Sequence, residues 1–195
     1  MGLWLIRKGQ FSKAEPYMRR AVKTLTEKNP NPYDGEPLYN LGLSLKYQGK
    51  TDEAYDCFYK ACWNAAWQDA GYYSLAQLSA SKGNWEEALY EIDKSLLRNW
   101  HNLRGRHLTA VVLRHLGRVD EALALIRESL AIDRFNFGCS FEEYLLTGEK
   151  AVLDDLLVRM RSEGHNYEEL SLDYASAGCW EEALKVVEVA FEVVV

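Results

Sequence analysis

The residues able to do chemistry include three sets: four acidic pairs that each follow a glycine by three residues, four histidines and four cysteines. The pairs are Asp52-Glu53, Glu86-Glu87, Asp120-Glu121 and Glu181-Glu182. Two carboxylates that converge on a substrate suit general acid–base work. Neighbours on a helix point about 100° apart, so these pairs do not converge. Each pair follows a glycine at a fixed distance, where a helix opens and carboxylates oppose its positive dipole end. His101, His107, His115 and His165 include no i, i+4 pair, and no cysteine stands at ligand spacing from any of them, so no metal is expected. Cys57, Cys62, Cys139 and Cys179 form no C-x-x-C unit and read as small buried thiols of a reducing, cytoplasmic compartment. There is no Ser-His-Asp signature, phosphate-binding glycine loop or dinucleotide fingerprint. The expectation is a non-enzyme without a cofactor.

The elements that carry these residues are set by a repeat. Gly-x-x-x-x-Ala occurs as Gly9–Ala14, Gly49–Ala54, Gly83–Ala88, Gly117–Ala122 and Gly178–Ala183, and the middle three glycines fall 34 residues apart. A fixed period of that length marks a helical repeat array. In Gly35–Gln68, Leu38, Leu41, Gly42 and Leu45 make one helical stripe and Ala54, Phe58 and Ala61 a second. Gly49 between them suits a left-handed helix cap. Small Ala54 lets the two helices approach closely. Asp69–Asn102 repeats the pattern with Leu75, Ala76, Gly83, Ala88 and Ile92, and Leu103–Asn136 with Leu108, Ala110, Gly117, Ala122 and Ile126.

These residues resemble the tetratricopeptide repeat family, most strongly over Gly35–Gln68 with Leu41-Gly42, Ala54, Phe58 and Ala61. The proline that closes the family motif is absent, with Ala66, Trp100 and Arg134 in its place. Trp63, Trp67, Trp100 and Phe135 are expected to pack at those junctions. The resemblance implies an all-α, right-handed α-solenoid of antiparallel helix pairs, about ten helices, acting as a protein-interaction scaffold. Asn31-Pro-Tyr-Asp-Gly-Glu-Pro-Leu-Tyr39, Trp63–Ala70 and Arg98–Asn102 look, further, like the C-terminal repeat region of large bacterial proteins of unknown function. In those a β-rich, carbohydrate-enzyme-like domain precedes the repeats. That likeness implies a docking role on such a domain.

We expect one helical-repeat domain over 1–195: a partial repeat at 1–28, repeats at 35–68, 69–102 and 103–136, a degenerate pair at 137–163 and a repeat at 164–195. Two intervals break the period. Asn29–Asp34 reads as a Pro-rich linker loop. Phe141–Leu146 and Lys150–Arg161 read as the degenerate pair. The short opening helix and the apolar close at Glu192-Val-Val-Val195 suggest a segment of a longer chain, or ends covered by self-association.

With a net charge of −6, general nucleic-acid binding is not expected. No apolar run approaches the ~20 residues of a membrane span. What remains is a partner held by the first helices, which line the groove in tetratricopeptide arrays. The resemblance puts Tyr39, Lys46 and Tyr47, then Tyr73 and Gln77, then Arg104, His107, Arg114 and His115 on that surface. The expected ligand is an acidic protein or peptide, drawn by the two arginines and, below pH 7, by protonated histidines. Tyr39, Tyr47 and Tyr73 also permit a rival, direct stacking on sugars. The carboxylate clamp of chaperone-binding relatives is not expected: Arg104 alone fits it in one register and Asn40 in another.

Overall fold

A computed structural model describes residues 1–30 and 32–194, so Asn31 of the linker and Val195 of the apolar close lie outside the described residues. The described chain is all-α, with twelve α-helices against the ten or so expected. Its residues cluster into two compact units, Met1–Leu75 and Ala76–Val195. The boundary falls inside a helix, so no linker in the sequence announces it.

The first unit holds α1 (Gly2–Arg7), α2 (Phe11–Thr26), α3 (Glu36–Lys46), α4 (Thr51–Ala61), a single 3-10 turn Ala65–Trp67 and the start of α5 (Gln68–Ser81). The helices α1 and α2, α2 and α3, and α3 and α4 pack on one another in turn. The second unit continues α5 and adds α6 (Trp85–Arg98), α7 (Leu103–His115), α8 (Val119–Ile132), α9 (Phe137–Thr147), α10 (Lys150–Met160), α11 (Gly164–Ser176) and α12 (Trp180–Val194). There α6 packs on α7, α7 on α8 and α9, α9 on α10, and α11 on α12. Helices α9 and α10 are joined through Gly148 at φ +69°.

Within five of the six helix pairs one turn recurs, and it explains the repeat. Gly9, Gly49, Gly83, Gly117 and Gly178 all have φ between +68° and +79°. At Gly49 its own N–H donates to the Lys46 carbonyl, and the next N–H, of Lys50, donates to the Leu45 carbonyl at 3.0 Å. This is a Schellman cap, which satisfies carbonyls the helix end would orphan. The same pair of bonds closes the other four glycine turns. Lys50 is also the N-cap of α4, and its carbonyl accepts from the Ala54 N–H. Thus the glycine and the alanine five residues later are the fixed points of one turn. Ala14, Ala54, Ala88 and Ala122 are fully buried there.

The junctions behave less uniformly. Trp67 packs on Tyr39 at 4.9 Å between ring centroids. Trp100 is half exposed and lies over the guanidinium of buried Arg106 at 4.4 Å. Trp63 and Phe135 remain largely exposed, each edge-on to one aromatic neighbour, Tyr59 and Phe137.

Candidate functional site

In the first unit the expected tyrosines divide. Tyr39 wedges between Phe58 and Trp67, and burial pushes its phenol pKa up. It is a packing residue, poorly placed to stack on a sugar. Tyr47 is exposed and stacks on Phe11 at 4.5 Å, with the Lys46 ammonium 5.9 Å from its ring. Tyr73 is half buried on α5.

In the second unit Gln77 is buried. Arg104, at the start of α7, is held by Asp173 of α11, its Nε donating to both carboxylate oxygens at 2.9 and 3.2 Å. One turn on, His107 is only 4 % exposed. Gly138 backs its imidazole, where a Cβ would collide with the ring, and Tyr174 meets it edge-on at 4.8 Å. Burial lowers the His107 pKa, against the weaker pull of Asp173 and Glu142. Its Nε2 is buried without a hydrogen-bond partner. Arg104, His107 and Asp173 border a depression of about 270 Å³ that also takes in Asn136, Phe137 and Leu170.

Arg114 lies deeper. Its Nε donates to Glu142 at 2.7 Å and its Nη2 to Glu182 at 2.8 Å. Glu142 is fully buried and also accepts from the Tyr174 hydroxyl at 2.7 Å. Burial opposes the Arg114 charge, but Glu142 and then Glu182 outweigh it and hold the guanidinium above its ordinary range. His115 stacks flat on Trp85, with ring centroids 4.0 Å apart and planes within 5°. Burial, then Arg114, lowers its pKa.

These pairings alter the expected chemistry. Both arginines already hold carboxylates, so the surplus positive field that would draw an acidic ligand is neutralised. Burial biases both histidines toward the neutral form, against the added positive charge expected of them. The sequence also gave no reason to connect His115 with Cys179, yet Nε2 and Sγ lie 3.7 Å apart across 64 residues. Arg106 was missed as well: it is fully buried, with Nε donating to Ser129 at 2.8 Å.

Antiparallel helix pairs joined by glycine turns define the α-solenoid class of the tetratricopeptide type. A tetratricopeptide repeat family model matches residues 35–62, the unit with the fullest motif. The fold is similar to a tetratricopeptide repeat protein from Parabacteroides merdae, at TM-score 0.68 and 20% identity over 98% of this chain and 77% of that one. It is also similar to MamA, at TM-score 0.57 and 19% identity over 98% of this chain and 93% of that one. Among the described residues no helix is long and apolar enough to cross a membrane.

Proposed function

We propose that the chain is a non-catalytic protein-interaction scaffold, and that its second unit receives a partner segment in the depression beside Arg104, His107 and Asp173. The observation that supports this reading is the buried, unpartnered Nε2 of His107 at that depression. An orphaned buried polar atom costs about 1–3 kcal/mol, which a partner's donor or acceptor regains where the rim opens to admit it. Arg104 and Asp173 at the rim supply one charge of each sign, so recognition there exchanges ion pairs. The first unit offers exposed Tyr47, stacked on half-buried Phe11, a residue type enriched at binding hot spots.

The test places a photo-reactive amino acid at Arg104 or Asp173 and, as a control, at exposed Tyr90 of α6. Crosslinks to one shared partner protein from both rim positions, and none from Tyr90, support the reading. Equal labelling from all three rejects it. One observation favours a second reading, docking on a neighbouring domain such as the carbohydrate-enzyme-like one: Leu172 of α11 and Val187 and Phe191 of α12 border an exposed apolar depression of about 320 Å³. Patches of this kind mark interaction surfaces.

A further inference from the structure

Three residues of different chemistry meet at the turn into α12. Cys179 follows Gly178 and precedes the helix, Glu182 stands in its first turn, and His115 ends α7. One donor atom from each, an imidazole nitrogen, a sulfur and a carboxylate oxygen, lies within 4.8 Å of the other two. His115 Nε2 is 3.7 Å from Cys179 Sγ and 3.9 Å from Glu182 Oε1. Around a tetrahedral zinc with bonds of about 2.0–2.3 Å, such donors stand about 3.3–3.6 Å apart. The three atoms are therefore within a few tenths of an ångström to about one ångström of ligating geometry.

The surroundings hold them in place. Trp85 stacks on the imidazole and fixes the plane of His115. Gly178 lets the turn approach α5: a Cβ there would stand 2.8 Å from the Ser81 Cα. That approach sets Cys179 against α7. Arg114 donates to the same Glu182 oxygen at 2.8 Å and orients it, as hydrogen-bonded outer groups do for ligating carboxylates. Its positive charge opposes a cation, but Glu142 already pairs with it. The cluster borders an open cavity of about 540 Å³ between Trp85 and Trp180.

We propose that His115, Cys179 and Glu182 form a zinc-binding site with its fourth position open to this cavity. Thiolate and imidazole together favour zinc over magnesium or calcium, which prefer all-oxygen shells. Binding forms the sulfur–zinc bond as the Cys179 thiol gives its proton to solvent. The thiolate and the Glu182 carboxylate then balance the ion's two charges.

The test uses the whole chain, stripped with a chelator. Zinc is titrated in competition with a chromophoric chelator, and cobalt(II) is added separately as a spectroscopic probe. We expect one zinc per chain, and with cobalt a near-ultraviolet thiolate charge-transfer band plus the intense visible bands of a four-coordinate ion. Cys179→Ser abolishes the charge-transfer band, while Cys57→Ser and Cys139→Ser leave it. His115→Phe keeps a ring against Trp85 and weakens zinc by roughly 100-fold or more, as loss of one of three ligands implies. A folded wild-type chain with no stoichiometric zinc, a band that survives Cys179→Ser, or unchanged affinity in a His115→Phe chain of native helix content overturns the assignment.

Discussion

The ring of Phe58 occupies the space where Gly42 has no side chain: a Cβ on Gly42 would stand 2.6 Å from the ring's Cε1. The two residues join the helices of the fullest repeat, and Phe58 is fully buried. Gly42→Val must displace the ring, and overpacking of this kind costs about 1–3 kcal/mol. Gly42→Val with Phe58→Leu should recover part of the loss in a double-mutant denaturation cycle. Additive losses would show that the two do not share the space.

Gly49→Val and Gly83→Val should each destabilise by about 1–2 kcal/mol, because a side chain is forced to positive φ. No atom lies within 4 Å of a Cβ at either site, so the cost is conformational alone. Asn, which tolerates that backbone region, should lose clearly less than Val in thermal melts. Equal loss for Asn and Val would point to a steric cause instead.

Ala54→Leu and Ala88→Leu should lose about 1–3 kcal/mol by overpacking, as both sites are fully buried at helix crossings. Unchanged melting temperatures would move the tight crossing elsewhere.

Arg114→Ala should behave as a folding mutant rather than a binding mutant. It leaves the Glu142 carboxyl buried without its cation, a loss of about 3–5 kcal/mol for a broken buried pair. Arg114→Met with Glu142→Gln should restore part of it in urea denaturation. A double variant as weak as Arg114→Ala alone would place the damage outside this pair.

Acid should loosen the first unit through Glu15. Lys50, opposed by burial, and then Arg19 and Gln48 hold its pKa down at about 2 against an ordinary 4.5. A depressed carboxyl stabilises fully above the ordinary value and ceases to do so as pH falls through the folded one. Lys50 and Arg19 are nearly half exposed, so solvent screening limits the effect to about 1–2 kcal/mol. Denaturation of the wild type and Glu15→Gln should differ at pH 6 and converge toward pH 2. Parallel curves would exclude Glu15 as the titrating group.

The glycine and alanine positions were legible because the turn that needs them is local: six consecutive residues close its hydrogen bonds. The tetratricopeptide stripe at Leu41, Gly42, Ala54 and Phe58 was legible for the same reason, since one period relates both helices. The ion pairs and the metal-ligand cluster were not. Arg114 finds Glu142 after 28 residues and His115 finds Cys179 after 64, distances that no repeat period predicts. The interval from Gly117 to Gly178 breaks the period, so the repeat phase placed Arg114 and His115 on a helix face without revealing what that face meets. Charge counted along the sequence then overstated the free positive charge.

The glycine turns have one further consequence. Because each Schellman cap uses its N–H groups on its own helix's carbonyls, and the following residue at once caps the next helix, these turns have few main-chain groups left to offer a visitor. Recognition must be written elsewhere, on helix faces and at the irregular junctions where Trp100 and Phe135 stand exposed. A library that randomises those junctions while keeping each Gly-x-x-x-x-Ala intact would explore specificity without disturbing the hinges that hold the helix pairs shut.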